Sequence, residues 1–418
     1  MSGIRQANTH VGSGICATNR AHTDNGFPCY PCVVLAFLHF RLTVPSPQES
    51  MMTSVRTVLV VGGGTAGCTV AALLARAGVA VEIVERKPDF TVHGSGITLQ
   101  GAAHRVLREV GVYDELHRHG FEFAALGLRS VDGRLLVENP TPPTLGAYRP
   151  KMAELLAAAA VEAGAKVRLG ATITSFTQDE HGVDVVFADG DTARYDLLIG
   201  ADGVRSSVRR QLGIEAEPRP VGMGIWRVHA RRPAEVTNAE LVYDGPCYIA
   251  GFTPTGPDTL YAYLVEAAQD RSAHTAERKV ATMRELATPY RGPWEEIRED
   301  ITDADRINYT WFEHLLIDGA WNRGRAVVIG DAAHTCPPTL ALGAAMALED
   351  ASVLAELLLT RDHVDQELFD AFVARRMPRA GAVVNGSMQL ATWLLEGERN
   401  ADIPGLMGPI YALLAEPA

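Results

Sequence analysis

Val58–Val61 is an unbroken apolar run of strand length, the pattern of a parallel strand covered on both faces. Thr65–Ala77 is rich in Ala and other small residues and predicts a helix that Gly78 stops. Val79–Val84 predicts a second strand. Between Gly101 and Gly120, Val106, Leu107, Val110 and Leu116 stand at helical spacing, with a break at Gly111. Pro150 opens another helix where its missing N–H is harmless; Met152, Leu155, Leu156 and Ala159 give it a face, and Gly164 ends it. Short strands follow at Ala171–Thr177 and Val183–Ala188. Asp189-Gly190-Asp191 turns into a further strand, and Leu197–Gly200 reads as one more buried strand.

From Pro218 the pattern alternates. Met223–Ala230 and Asp258–Glu266 predict an antiparallel sheet with one face on a core or a ligand. Thr275–Thr288 predicts a helix with Val280, Met283 and Leu286, and Ile307–Glu313 returns as a strand. Arg325–His334 resumes the parallel-strand pattern, and helices run from Ala344 towards the C-terminus. An α/β pattern thus brackets a β-rich insert.

Composition narrows the classes. The 418 residues carry a formal net charge of −12, which does not favour nucleic acid or an anionic membrane as partner. No apolar run approaches the roughly 18 residues needed to span a bilayer. Of the six cysteines, Cys16, Cys29 and Cys32 precede the first clear element, and Cys68, Cys247 and Cys336 are scattered. That is no disulfide framework, so a reducing, cytoplasmic setting is expected. Cys29 and Cys32 form a CxxC, but no second pair follows at zinc-site spacing, and no metal is expected. Residues 1–52 lack helical periodicity and read as a leader, disordered or a non-native start, with Met51 or Met52 as the natural beginning.

Gly62, Gly64 and Gly67 spell GxGxxG between the first strand and the first helix. The first glycine permits the tight turn, the second lets backbone approach a pyrophosphate, and the third lets helix pack on strand. The helix start offers N–H groups to phosphates. Glu85, with Arg86 beside it, ends the second strand where a carboxylate accepts ribose hydroxyls. This unit alone does not separate NAD from FAD.

Two more turns do. Asp202-Gly203 follows Leu197–Gly200 and leads to a helix with Arg205, Ser206 and Arg209. Gly330-Asp331 ends another buried strand, and a loop with Pro337, Pro338 and Gly343 leads to a helix. Both acids stand just past a strand end, where ligands sit in open α/β sheets; either could instead cap the helix that follows. With GxGxxG, and with the segments Arg149–Leu156 and His93–Leu107, these turns resemble the FAD-dependent aromatic hydroxylases, the single-component flavoprotein monooxygenases of the para-hydroxybenzoate hydroxylase type. The resemblance covers about residues 55–395.

It implies an α/β fold: a Rossmann-type FAD-binding domain, discontinuous over 53–120, 146–215 and 316–395. A β-rich substrate-binding domain would occupy 121–145 and 216–315, with a C-terminal segment over 396–418. It implies FAD held by Gly62, Gly64, Gly67, Glu85, Arg86, Arg149, Asp202, Gly203, Asp331 and Gly343. Arg149 would contact the pyrophosphate, Asp331 the ribityl side, and Asp202-Gly203 both FAD and the path of NAD(P)H. It implies NADH or NADPH as a transient co-substrate, O2, a C4a-hydroperoxyflavin, and transfer of one oxygen to a small phenolic or heteroaromatic substrate. Pro338 would line the substrate beside the flavin, and His93 is the first candidate for a base, a solvated loop histidine being the alternative. On the insert, Trp226, Arg227, Tyr248, Tyr261 and Tyr263 are candidates to line the pocket or to sit in the core, with Arg227 suited to a substrate carboxylate. His334 is expected to hydrogen-bond structurally. Leu342 and Ala345 depart from the family pattern, which has Gln or Lys and Gly there, and this bears on the flavin-ring contacts. An oxidase, epoxidase or reductase on the same scaffold, a non-catalytic flavin protein, and a homodimer remain open.

Overall fold

Val58, Leu59 and Val60 have no exposed surface, because their strand, Thr57–Val61, runs inside a six-stranded sheet. The computed structural model describes residues 54–90, 94 and 96–418, so the leader expected over 1–52 and the candidate base His93 lie outside the described residues. The sheet order is Asn322–Arg323, Ala326–Val328, Leu197–Gly200, Thr57–Val61, Ala80–Glu85, Lys166–Leu169. Val60 lies between Ile199 and Ile83, in parallel register on both sides. Only the edge strand Asn322–Arg323 is antiparallel to its neighbour. The helix Thr65–Arg76 buries ten of its residues, from Ala66 to Ala75, and small side chains let it lie close to the sheet. Gly78 follows at φ +91°, a left-handed stop.

A second sheet has nine strands. Its order is His334–Thr335, Ile307–Leu316, Arg219–Arg231, Thr259–Ala267, Ile249–Pro254, Ala239–Val242, Phe121–Arg129, Leu135–Ala147, Ile97–Gln100. Period-two alternation gives it two unlike faces. Trp226, Val228, Leu260, Ala262, Leu264 and Phe252 turn to one core, closed by Met283, Trp294 and Ile297 of the helices Ala276–Ala287 and Pro293–Asp300. Met223, Ile225, Ile249 and Val265 turn the other way, with Tyr243, Tyr248 and Tyr263, and meet Met388, Ala391 and Leu394 of the helix Gln366–Glu396. A three-stranded sheet, Ile173–Gln178, Val183–Phe187 and Thr192–Tyr195, completes the strands described.

Two elements differ from the sequence pattern. The buried strand expected to end in Gly330-Asp331 stops at Val328. Gly330, at φ +61°, turns the chain through a single 3-10 turn, and His334–Thr335 joins the other sheet. Leu135–Ala147 is a strand despite Pro140, Pro142 and Pro143, because its outer half pairs on one side only, where a missing N–H is tolerated. No helix among the described residues is long and apolar enough to cross a membrane.

Candidate functional site

The glycine turn divides its work as its spacing predicts. A Cβ on Gly67 would lie 1.9 Å from the Gly62 carbonyl oxygen, and one on Gly62 2.3 Å from that of Ala201. Both glycines are there for close approach of backbone, and Gly62, at φ +108°, for the turn as well. Gly64 is different: a Cβ there would meet nothing within 4 Å. It faces open space at the start of a helix that has no side-chain cap. Those N–H groups are therefore free for an anion. Glu85 stands beside the turn, accepting from Gly63 N at 2.8 Å and Lys87 N at 2.9 Å. A carboxylate has further lone pairs for two hydroxyls. Arg86 is exposed at the same strand end.

Asp202 is committed to its own helix. Its Oδ2 accepts from Ser207 N at 2.6 Å and Val208 N at 3.2 Å, and its Oδ1 from the Ser206 hydroxyl at 2.5 Å. The capping alternative describes its side chain, while Gly203, at φ +79°, leaves open space around its Cα. Asp331 is the opposite case. Its carboxylate is exposed and, among the described residues, accepts no hydrogen bond. Burial pushes its carboxyl up, and His334 and Arg149 pull it back. Arg149 opens the helix Arg149–Glu162, its stem running past Gly94, where a Cβ would be 3.2 Å from Cδ. It too has no hydrogen-bonding or ion-pair partner among the described residues. A free guanidinium, a free carboxylate and an uncapped helix start suit a pyrophosphate joined to a polyol, so the residues present fit FAD.

The Gly330-Asp331 turn is held from behind. Asp350, with no exposed surface, accepts from Gly330 N at 2.8 Å and from Arg376 Nε at 2.7 Å, and pairs with His334 Nε2 at 2.6 Å. His334 and Arg376 hold its carboxyl below the usual range against a burial effect of opposite sign. His334 is thus structural. Arg209, fully buried, donates to Ala332 O and Val204 O, each at 2.9 Å, and ties the two turns together. Sequence reading did not single out Asp350. Its signal was an acid inside the apolar helix Gly343–Thr360, where an unpaired charge is too costly to keep. Gly343 begins that helix, again with no side-chain cap. Pro338 is exposed in the loop before it.

On the nine-stranded sheet, Arg227 lies opposite Tyr263, and His229 opposite Tyr261. The Tyr261 and Tyr263 rings stack 5.2 Å apart, at 28°. Glycines make room for them: a Cβ on Gly96 would be 2.1 Å from Tyr261, and one on Gly251 2.5 Å from Tyr263. Arg227 is half-buried and donates to the Thr310 hydroxyl at 2.8 Å. Burial, more than any neighbouring charge, pushes its guanidinium down to about 10, and holds Tyr263 and Tyr243 well protonated. Tyr248 shares this face, half-buried against Tyr243 and Tyr263. For Trp226 the structure gives the core alternative. It has no exposed surface, donates to Glu266 Oε1 at 2.9 Å, and belongs to the opposite core. Adjacent strand residues face opposite ways, so a pocket that uses Arg227 cannot use Trp226. An open groove of about 890 Å³, lined by Arg284, Glu285 and Asp303, lies on the helical side and holds none of these residues.

A parallel sheet with a glycine turn, an open Asp331 and an uncapped second helix start defines a flavin-nucleotide protein. The chain belongs to the FAD binding domain family, whose pattern spans residues 56–387, and it is an FAD-dependent monooxygenase of the aromatic hydroxylase family. It is 34% identical over 311 residues to 2-heptyl-3-hydroxy-4(1H)-quinolone synthase of Pseudomonas aeruginosa, covering 72% of this chain and 80% of that one. It is 32% identical over 356 residues to 3-amino-4-hydroxybenzoate 2-monooxygenase of Streptomyces cremeus, covering 80% and 86%. In fold it resembles Klebsiella pneumoniae HpxO, solved with FAD and uric acid. The TM-score is 0.72 at 20% identity, over 86% of this chain and 93% of that one.

Proposed function

We propose that this monooxygenase uses NAD(P)H and O2 to hydroxylate a small phenolic or heteroaromatic acid, with Arg227 as the counter-ion of the substrate carboxylate. The observation that carries this reading is Arg227 itself: a half-buried guanidinium beside Tyr263 whose hydrogen-bonding partner among the described residues is a threonine hydroxyl, not a carboxylate. Its remaining N–H groups can take an anion, and a planar fork matches a carboxylate. The names of the relatives do not make this choice. The Streptomyces enzyme is named for a hydroxybenzoate, and the Pseudomonas enzyme for a quinolone without a carboxylate.

In this reading the regions 53–120, 146–215 and 316–395 carry FAD and the regions 121–145 and 216–315 carry substrate. Gly62 and Gly67 shape the turn; Gly64 and the helix behind it take the pyrophosphate, with Arg149. Glu85, beside Arg86, takes the ribose hydroxyls. Asp331 takes ribityl oxygens, and the N–H groups at Gly343 face the ring. Asp202 acts through the helix it caps, leaving Gly203 open to the cleft. The chemistry supplied by bound FAD is two-electron reduction by NAD(P)H followed by O2 activation, with the balance Ar–H + NAD(P)H + H⁺ + O2 → Ar–OH + NAD(P)⁺ + H2O. With a single GxGxxG, NAD(P)H docks transiently. Arg227 fixes one end of the substrate, and the protonated phenols of Tyr243 and Tyr263 donate to it. Tyr248 and Tyr261 wall the ring, Pro338 lines its flavin side, and His93 takes the phenol proton. The setting is cytoplasmic, and a homodimer is compatible with it.

The test is NAD(P)H oxidation under ¹⁸O2 with matched hydroxybenzoates, hydroxypyridine carboxylates and their neutral amides. Acids that stimulate turnover and gain one labelled oxygen support the reading. Turnover confined to neutral rings refutes the carboxylate anchor. Reduction without label in any product refutes hydroxylation.

A further inference from the structure

Behind the Gly330-Asp331 turn, the buried charges do not stop at Asp350. Arg376 bonds Asp350 through Nε and Glu349 through Nη1. Arg379 bonds the same Glu349 twice, Nε to Oε2 at 2.9 Å and Nη2 to Oε1 at 2.5 Å, and Arg105 Nη2 reaches Oε1 at 3.3 Å. Glu349, Arg376 and Arg379 are each at least 95% buried. Two buried guanidiniums and the partly exposed Arg105 therefore face two carboxylates. Further negative potential comes from carbonyl dipoles at the end of the chain. Arg379 donates to Leu413 O at 2.7 Å and Glu416 O at 3.0 Å, and Arg105 to Leu414 O, Ala415 O and Glu416 O at 3.0 to 3.2 Å. These are carbonyls at the C-terminal end of the helix Ile403–Ala415, where intrahelical partners run out and the helix dipole is negative.

We propose that the C-terminal helix is a positioning element for the cofactor turn: by neutralising Arg105 and Arg379 it fixes Glu349 and Arg376, and through Asp350 it sets the Gly330 N–H and the direction of Asp331. The path is continuous: the bonds among Gly330, Asp350, Arg376, Glu349 and Arg379 are buried, and those from Arg379 and Arg105 to the tail are partly buried or exposed. Arg105, Arg376, Arg379, Glu349 and Asp350 are positioning residues. The inference rests on Asp331 being a flavin ligand.

The test uses the full-length chain carrying Arg379→Met, which removes both the tail bonds and the Glu349 bonds, with Arg379→Lys beside it. Two readouts are taken. FAD affinity is measured by quenching of flavin fluorescence, and amide hydrogen exchange of the apoprotein is followed at Gly330 and at Gly62, whose N–H bonds Val84 O at 2.8 Å in the other half of the site. Arg379→Met is expected to weaken FAD by about tenfold, in the range of couplings carried by packed networks. It is also expected to speed exchange at Gly330 and not at Gly62, with partial recovery in Arg379→Lys. Equal acceleration at both glycines, or none at Gly330, overturns the proposal. Asp331→Ala separates the two readings. If it releases FAD while Arg379→Met does not, the ligand assignment stands and the coupling falls; if Asp331→Ala itself binds FAD normally, the assignment falls first. Should Arg379→Met not fold, Arg105→Met, at a partly exposed side chain, is read in the same way with a smaller expected loss.

Discussion

Gly64→Ala is the sharpest perturbation of the glycine turn, because the three motif glycines differ in what a methyl would meet. At Gly64 the backbone has φ −82° and ψ −168°, open to any residue, and there is no atom within 4 Å of the new Cβ. The folded chain should lose about 1 kcal/mol or less, the difference between Gly and Ala before a helix. The methyl nevertheless occupies the space beside the uncapped N–H groups. If the pyrophosphate lies there, at least one hydrogen bond to a charged oxygen is lost, about 1.5–3 kcal/mol. FAD affinity should fall by about 10- to 150-fold, since 1.4 kcal/mol is a factor of ten. Gly67→Ala behaves otherwise. Its Cβ, 1.9 Å from a backbone carbonyl, forces helix and strand apart, and the apoprotein itself should be lost. The assay pairs the apoprotein Tm with a flavin-quenching titration. Gly64→Ala that keeps its Tm and binds FAD within about twofold of the parent refutes the placement of the phosphates.

Arg227→Met should raise KM for an acidic substrate by about a hundredfold, while the substrate-free protein keeps its stability because only one bond, to the Thr310 hydroxyl, is lost. A fall in Tm with KM unchanged would make Arg227 structural. Trp226→Phe should do the reverse, costing about 1–3 kcal/mol in a denaturant titration through the lost bond to Glu266, with KM unmoved. His229 has a buried Nε2 with no hydrogen-bond partner, and burial first, then Arg306, lowers its pKa. The unfolded chain therefore binds the extra proton first. Stability contributed by the neutral ring is present above the unfolded value near 6.5, falls as pH drops below it, and levels off below the folded value. His229→Phe should flatten part of that acid limb in pH-dependent unfolding; an unchanged slope refutes the assignment.

The parts of the site written in local spacing were legible. Gly62, Gly64 and Gly67 each have the surroundings their positions in GxGxxG require, because the constraint acts within a few residues and across one strand. The separation of Trp226 from Arg227 was also present, in the alternation of a single strand, although both were expected to be pocket candidates. Asp202 shows the limit. An acid followed four and five residues on by serines fits a ligand or a cap equally well, and the bonds from Ser206 and Ser207 are what distinguish them. Asp350, Arg376 and Arg379 were beyond reach because their meaning depends on partners 16 to 30 residues away on other elements. Helical periodicity reports which face is apolar and says nothing about which buried charges meet.

The same distinction between side chain and backbone applies to the departure at Leu342. A leucine cannot hydrogen-bond to a flavin ring as Gln or Lys can. In the structure Leu342 and Ala345 are both buried in the main core, while Gly343 begins the helix with no side-chain cap. What this turn offers an oxygen is the row of first-turn N–H groups and the positive end of the helix, and neither depends on the residue at 342. The approach to them is set by Ala341, a non-glycine residue at φ +55°, whose N–H closes a turn on Pro338 O at 3.1 Å. That conformation costs about 1–2 kcal/mol, and the loop is held to it where Thr339 donates to Ser387 O on the neighbouring helix at 2.8 Å. Strain kept next to an uncapped helix start is more readily explained by a bound group than by folding, since Gly at 341 would adopt that turn without it.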